Sequence, residues 1–154
     1  MERKNRTKKI ILPDGSRLRI GIVVSEFHKD ITDGLLKGAL EALGACKVKK
    51  NNIRILRVPG SFEIPFGCLS LLGRKKYDAL VALGCIIEGE TSHYVYIASA
   101  VSQGIMNLSI ERNVPISFGV ITTDNLAQAK ERSAKKRNRG KDAALAAVSM
   151  ALQY

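Results

Sequence analysis

Four near-continuously apolar segments alternate with helical segments along this chain, and that alternation restricts it to very few folds. Apolar strands of this kind are buried on both faces, and the helices between them supply the crossovers that parallel strands need. The pattern therefore predicts an α/β fold, a parallel sheet with helices on both faces. The predicted strands cover residues 19–24, 53–58, 79–87 and 116–122, and the predicted helices cover residues 31–43, 64–72, 93–112, 125–134 and 141–152.

Turn and capping residues predict where several helices begin and end. Asp30 is the predicted N-cap of the first helix, and Gly44 suits its C-terminal stop. Pro65 is tolerated in the first turn of the second helix, where its missing N–H is not needed. Thr91 or Ser92 is the predicted cap of the third helix. These signals place three helix starts shortly after the ends of three strands.

The length and charge of the chain are typical of a single basic domain with a tail. From its 154 residues we predict one domain over residues 10–154 and a disordered basic tail over residues 1–9. The net charge is +11, and a second basic cluster lies between Lys130 and Lys141. Such clusters can bind nucleic acid. A solvated tail and loop are the favoured reading, because 5% aromatic residues and no Trp offer no evident base-stacking platform.

The cysteines and the hydropathy of the chain indicate a reduced, cytoplasmic protein. Cys46, Cys68 and Cys85 show neither metal-ligand nor redox spacing, and their odd number argues against a disulfide framework. No apolar run reaches the roughly 20 residues that a membrane span needs. The polar N-terminus lacks the apolar core of a secretory signal. We therefore predict no membrane association.

Chemically active residue types follow each predicted strand. The loops concerned contain residues 26–28, 59–63, 85–93 and 122–124. The carboxyl ends of parallel strands lie at the same edge of a sheet, and ligands of open α/β sheets bind at that edge. The four loops together therefore predict a ligand site, which is a stronger inference than any one loop allows.

The third of these loops combines an anion site with a proton-transfer group. The apolar strand ends near Ile87, a turn contains Gly89, and a helix begins near Ser92. Unpaired N–H groups at a helix start can hold an anion. His93, one of two histidines in the chain, lies in the first helical turn, and histidine side chains exchange protons near neutral pH. The loop therefore predicts chemistry on a small phosphorylated molecule.

Five segments, in the same order along the chain, resemble the lumazine synthase family of riboflavin biosynthesis. They are residues 21–23 with Phe27, then 58–65, 84–93, 118–123 and 128–140, and the similarity covers residues 19–152. With this resemblance the predicted fold becomes a three-layer α/β sandwich around a four-stranded, flavodoxin-like parallel sheet flanked by helices. A short N-terminal strand, residues 10–12, is expected to pair with a neighbouring subunit.

The resemblance implies a transferase that works without a cofactor. The reaction joins 5-amino-6-(D-ribitylamino)uracil to 3,4-dihydroxy-2-butanone 4-phosphate and gives 6,7-dimethyl-8-ribityllumazine, phosphate and water, the penultimate step of riboflavin biosynthesis. Neither a cofactor nor a metal takes part in the family, and the sequence shows no set of His, Cys and carboxylate residues with metal-ligand spacing. Transfer of the product to riboflavin synthase is a further implied partnership.

The resemblance also implies roles for the residues that handle the phosphorylated substrate. His93 matches the catalytic histidine, and Arg132 matches the phosphate-binding arginine. Gly89, Glu90 and Thr91 are implied to complete the cradle, largely through backbone N–H groups. Glu90 is expected to point away, because an inward carboxylate would repel phosphate. Without the resemblance, His93 would be read as an exposed helix-start residue and Arg132 as a solvated charge.

The other matched residues are implied to bind the ribitylaminouracil. Phe27 matches the aromatic residue that stacks on the pyrimidine ring, and Phe118 matches a residue that the neighbouring subunit contributes. The positions implied for the ribityl chain, the uracil edge and a basic group near the ring are Ser61, Phe62, Glu63, Cys85, Ile86, Ile87 and Arg139. His28, Val95 and the basic run 135–137 depart from the family pattern, which bears on substrate positioning and assembly.

The assembly that the resemblance implies is a homopentamer with its sites between adjacent subunits. Some members of the family build a shell of twelve pentamers, which contains 60 chains. The loop after Arg132 is short in this chain, which favours the shell. The choice between pentamer and shell stays open at this point.

Three alternative functions are weighed against this one. A flavin or nucleotide carrier would need a phosphate-binding loop after the first strand, and residues 26–30 are poorly suited to phosphate. A nucleic-acid-binding protein would bind through the basic clusters with a steep salt dependence. An archaeal-type riboflavin synthase is the closest enzymatic alternative, and segments 59–65 and 122–123 favour lumazine synthase over it.

Overall fold

The computed structural model of the protein describes residues 10–154, which form four strands and five α-helices. The strands are β1 (Ile20–Ser25), β2 (Ile53–Val58), β3 (Ala79–Ile87) and β4 (Ile116–Thr123). The helices are α1 (Lys29–Ala45), α2 (Ile64–Leu72), α3 (His93–Arg112), α4 (Leu126–Arg132) and α5 (Arg139–Gln153). Short 3₁₀ turns lie at Lys50–Asn52, Ser61–Glu63 and Lys135–Arg137. The basic tail predicted at residues 1–9 lies outside the described residues.

The four strands form one parallel sheet in the order β2-β1-β3-β4. Ile22 of β1 lies opposite both Ile55 of β2 and Val81 of β3, so the register is continuous across the sheet. Helices α1 and α5 pack over one face, and α2 and α3 pack over the other, each pair on its own apolar cluster. The predicted three-layer α/β sandwich is confirmed.

Side chains of the central strands alternate between the two apolar clusters. Val81 and Leu83 of β3 belong to the cluster under α1 and α5, whereas Leu80 and Ala82 belong to the cluster under α2 and α3. Successive residues of a strand point to opposite faces of the sheet. A strand that is apolar at every position can therefore be buried on both faces, which is why the apolar runs in the sequence are continuous.

Helix α1 begins at Lys29, so the prediction of Asp30 as its N-cap is wrong. His28 takes the N-cap position with left-handed backbone angles (φ 58°, ψ 53°), and its carbonyl oxygen accepts hydrogen bonds from the N–H groups of Ile31 and Thr32. Asp30 lies in the first turn, where its charge interacts favourably with the helix dipole. A left-handed residue other than glycine is uncommon, and His is not among the preferred N-cap residues, so the residue pattern gives no signal for this helix start.

The last two helices also differ from their predicted bounds. Helix α4 is shorter than predicted and ends at Arg132. Helix α5 begins earlier, at Arg139, because the side-chain oxygen of Asn138 accepts hydrogen bonds from the N–H groups of Gly140 and Lys141, at 2.9 and 3.2 Å. Asn is a preferred N-cap residue, so the sequence carries a signal for this start in Asn138.

The predicted N-terminal strand at residues 10–12 is not formed within the described chain. Ile10 and Ile11 are 85% and 90% exposed. A strand needs a neighbouring strand to satisfy its N–H and C=O groups, and residues 10–12 have none in the described sheet. The pairing of this segment with a neighbouring subunit stays a prediction.

The close packing of α1 against α5 depends on Gly140. A Cβ at this position would overlap the carbonyl oxygen of Leu35, a backbone atom that cannot move without moving its helix. We expect Gly140→Ala to lower the free energy of unfolding by about 3 kcal/mol, as measured by urea denaturation. Gly44→Ala is the control, because nothing lies within 4 Å of its Cβ position, and it should raise stability by about 0.5 kcal/mol. Equal effects of the two substitutions would contradict the packing argument.

Candidate active site

The carboxyl ends of β1, β2 and β3 surround an open cavity of about 440 Å³. Loops from all three strands and the first turns of α3 contribute to its wall. This is the edge of the sheet at which the sequence predicted a site. The cavity is lined by Phe27, His28, residues 60–63, residues 85–87, Gly89, Thr91, His93, Tyr94 and Ile97.

Backbone hydrogen bonds between β1 and β2 hold Phe27 at the mouth of this cavity. The N–H of Phe27 donates to the carbonyl of Pro59 at 2.9 Å, and the N–H of Glu26 donates to that of Val58 at 2.8 Å. The Phe27 ring contacts the His28 ring edge-on, with 4.6 Å between centroids. Phe27 nevertheless stays 67% exposed. A large aromatic face is therefore available to a planar ligand.

The turn after β2 presents three different side chains to the cavity. Residues Ser61–Glu63 form one 3₁₀ turn, closed by a hydrogen bond from the N–H of Glu63 to the carbonyl of Gly60 at 3.2 Å. Ser61 is buried, whereas Phe62 and Glu63 are exposed. The turn thus offers a carboxylate and backbone groups beside the aromatic face of Phe27, an arrangement that can bind a hydroxylated chain next to a ring.

His93 is the first residue of α3 and is exposed to the cavity. The predicted cap is formed in part: Ser92 takes the N-cap position without a side-chain bond, and the Thr91 hydroxyl oxygen accepts from the N–H of His93 at 3.4 Å. Gly89 and Thr91 line the cavity and Glu90 is exposed without lining it. The imidazole and the helix start therefore face the same space.

Three predicted site residues line a different cavity. Phe118, Arg132 and Arg139 lie with residues of α5 around a space of about 600 Å³ beside β4. Arg132 Nη1 donates to the carbonyl of Thr122 at 3.3 Å. Arg139 Nη1 lies 3.4 Å from Asp142 Oδ2, an ion pair within the first turn of α5. Within one described chain, then, the structure does not bring Arg132 together with Gly89 and Thr91.

Four residues without an individually predicted role also line the first cavity. Gly60, His28, Tyr94 and Ile97 are among its lining residues. Ile97 follows His93 by four residues, so both lie on one face of α3, and this spacing is a sequence signal for Ile97. His28 follows Phe27 and Tyr94 follows His93 in the chain, and this adjacency to predicted site residues is the sequence signal for both.

Cys85 lines the first cavity as a neutral thiol. Burial raises the pKa of this thiol to about 12, and the Asp30 carboxylate adds to the shift. Burial also raises the pKa of Cys68 to about 12. The folded-state pKa of each group lies above its ordinary value of about 8.5. The stability that these neutral thiols contribute is therefore present below that value and is lost as the pH rises toward 12.

The thiols should consequently resist alkylation in the folded protein. Thiolate is the reactive form, and Cys46, Cys68 and Cys85 are free and buried. We expect negligible labelling by iodoacetamide at about pH 8 in the native protein and labelling of all three after denaturation in urea. Mass spectrometry of both samples gives the result. Rapid labelling of Cys85 in the native state would contradict the assignment of a neutral thiol.

Helix α3 leaves an apolar surface uncovered. Only Val101 and Ile105 of its 20 residues are buried in the described chain. Tyr96, Met106 and Ile110 are 60–72% exposed, and Phe118 on β4 is 49% exposed. Large apolar side chains exposed in this number on one helix and the neighbouring strand are typical of an interaction surface.

Among the described residues 10–154, no helix is long and apolar enough to cross a membrane. No group of three or more His, Cys, Asp or Glu side chains is arranged there to hold a metal ion.

Comparisons with known proteins give one consistent result. A family model for 6,7-dimethyl-8-ribityllumazine synthase matches residues 17–154. A curated relative from Parabacteroides distasonis, named 6,7-dimethyl-8-ribityllumazine synthase, is 44% identical over 140 residues. That alignment covers 90% of this chain and 88% of the relative.

Proposed function

The chain belongs to the 6,7-dimethyl-8-ribityllumazine synthase family, and from that membership we propose which of its residues bind and convert the two substrates. It catalyses the lumazine synthase reaction, a transferase step of riboflavin biosynthesis. The products are 6,7-dimethyl-8-ribityllumazine, phosphate and water. The predicted family and reaction are confirmed. The same matches favour lumazine synthase over the three alternative functions.

The 440 Å³ cavity is the proposed site of the ribitylaminouracil. The exposed Phe27 ring stacks on the pyrimidine, since an offset aromatic pair is favourable. The Ser61–Glu63 turn binds the ribityl chain through the Glu63 carboxylate and backbone groups. Backbone N–H and C=O groups of Ile86 and Ile87, at the end of β3, hydrogen-bond the edge of the uracil ring. Cys85 lines the same cavity as a neutral thiol. The juxtaposition of Phe27, Glu63 and His93 in this one cavity is the observation that carries the assignment.

The phosphate of the second substrate is proposed to bind at the start of α3. Gly89 and Thr91 line the cavity there, and the N–H groups of a helix start favour an anion. A dianion also needs a full positive charge, and in the described chain Arg132 lines the other cavity. We propose that Arg132, Arg139 and Phe118 of a neighbouring subunit complete this site.

His93 is the proposed proton-transfer residue. Attack of the substrate amine on the ketone forms a C–N bond, and loss of the oxygen as water then requires a proton on that oxygen. Elimination of phosphate requires removal of a proton from the adjacent carbon, while the C–O bond electrons leave with the phosphate. The second substrate nitrogen then attacks the remaining carbonyl carbon, which closes the ring and releases a second water. An imidazole that lines the cavity between the ring site and the phosphate site can serve each transfer.

The assay for this proposal follows lumazine fluorescence and phosphate release, with the uncatalysed condensation subtracted. We expect His93→Ala to lower kcat by about 10- to 100-fold, near the low end for a positioned acid–base group, because the reactants already condense slowly without protein. Ser92→Ala is the control, since the Ser92 side chain makes no capping bond, and it should keep kcat within about twofold. An unchanged kcat in His93→Ala would refute the role. No turnover by the unmodified protein would refute the function.

A homopentamer is the proposed assembly, because it pairs the two incomplete cavities of adjacent chains. The exposed apolar residues of α3 and Phe118 supply the contact surface. The exposed residues Ile10 and Ile11 are proposed to add a strand to a neighbour's sheet. A shell of twelve pentamers is the further assembly that the short loop after Arg132 favours. Native mass spectrometry giving only monomers would refute the shared site.

The cellular context is proposed from the same features. Three free, buried cysteines suit a reducing compartment such as the cytoplasm. The product would pass to riboflavin synthase, which consumes it. No nucleic-acid partner is proposed.

A further inference from the structure

Two buried hydroxyl groups lie unpaired beneath the proposed ribityl site. Ser25 is the last residue of β1 and is fully buried, and Ser61 begins the turn after β2 and is 7% exposed. Among the residues that the structure describes, neither hydroxyl oxygen has a hydrogen-bond partner. Most buried side-chain polar atoms in proteins are paired, so each exception calls for an explanation.

The two hydroxyls converge on Gly84 of β3. A Cβ on Gly84 would lie 2.7 Å from the Ser61 hydroxyl oxygen and 3.3 Å from that of Ser25. The absence of a side chain at Gly84 thus leaves room for both hydroxyls at one point of the sheet. Ser61 also lines the site cavity, whereas Ser25 lies behind it.

We propose that Ser25 and Ser61 form a buried hydroxyl pair that binds one hydroxyl group of the ribityl chain. Ser61 contacts the substrate, and Ser25 is a positioning residue that hydrogen-bonds the Ser61 hydroxyl when substrate is present. Each serine hydroxyl can donate one hydrogen bond and accept others, so a short chain of bonds can run from Ser25 through Ser61 to the ligand. This inference rests on the proposed site for the ribitylaminouracil.

Because neither hydroxyl has a partner among the described residues, a bound ligand can supply one, and this gives the pair its effect on binding. A buried hydroxyl without a partner destabilises the ligand-free protein, and a polar ligand relieves that penalty when it binds. A site with buried hydroxyls therefore discriminates against a ligand that lacks the matching hydroxyl. Removal of the Ser25 hydroxyl should accordingly stabilise the free protein and weaken substrate binding.

The experiment compares Ser25→Ala, Ser61→Ala and the double variant with the unmodified enzyme. We expect Ser25→Ala to raise the KM for ribitylaminouracil about fivefold, with kcat and the KM for the butanone phosphate unchanged. The Tm of the ligand-free protein should rise by about 2–4 °C. The double variant should match Ser61→Ala in KM, because Ser25 acts through Ser61.

Ser109→Ala is the control for the stability measurement. Its hydroxyl donates to the carbonyl of Val114 at 2.7 Å and accepts from the N–H of Ile116 at 3.3 Å, so its loss should lower the Tm. A lower Tm in Ser25→Ala would show that the Ser25 hydroxyl is paired and would overturn the proposal. An unchanged KM in an active Ser25→Ala enzyme would overturn it too. An inactive unmodified protein would instead refute the proposed function.

Discussion

Arg132→Ala is expected to lower kcat/KM for the butanone phosphate by about 100-fold, equivalent to about 3 kcal/mol of lost charge-assisted binding. A planar guanidinium can donate two parallel hydrogen bonds to a phosphate. In the described chain, Arg132 Nη1 donates to the carbonyl of Thr122 at 3.3 Å. This contact holds the Arg132 side chain beside the end of β4. A carbonyl carries no net charge, and Arg132 forms no ion pair among the residues that the structure describes. Steady-state kinetics with both substrates varied measures the loss.

The effect should be confined to one substrate and one residue. The KM for ribitylaminouracil should change by less than about twofold, because that substrate carries no phosphate. Arg132→Lys keeps the charge without the planar fork and should restore only part of the rate. Lys130→Ala removes the same charge from the exposed side of α4 and should act like the unmodified enzyme. A comparable loss in Lys130→Ala would show that any positive charge on α4 has this effect, against a specific contact between Arg132 and the phosphate.

Two impaired variants, assembled together, are expected to recover about one quarter of the unmodified activity if each site joins two neighbouring subunits in a ring. The first variant is Arg132→Ala, which damages the cavity beside β4. The second is Phe27→Ala/His93→Ala, which damages the cavity at the strand ends. In a random equimolar ring, about one interface in four joins an intact first cavity to an intact second cavity.

The controls for this mixing experiment separate a shared site from other causes of recovery. The variants are unfolded together and refolded, or expressed together, so that subunits mix within one ring. Mixing after separate assembly should give no recovery, and native mass spectrometry of that sample checks that the rings have kept their own subunits. Absence of recovery in co-assembled rings of pentamer mass would mean that Arg132 and His93 of the same chain serve the same site, against the proposal.

Much of the fold could be read from the sequence because its strongest signals are periodic. The bounds of β2, β3, α2 and α3 agree with prediction, since apolar runs bounded by Gly and Pro mark strand ends and a 3.6-residue period marks helices. The misplaced starts of α1 and α5 have local causes. His28 adopts a left-handed conformation, which the residue pattern does not predict. The Asn138 cap follows directly after the basic residues 135–137, so the start of α5 is not marked by an apolar period.

By itself, the sequence determined the parallel sheet, the single edge at which its loops converge and the family. Each follows from patterns within short segments, and parallel strands necessarily direct their carboxyl ends to one edge. Tertiary structure alone decided that Arg132, Arg139 and Phe118 line one cavity while Phe27, Glu63 and His93 line another. The distribution of side chains between separate cavities depends on helix packing around β4, and that packing is a property of contacts distant in the sequence.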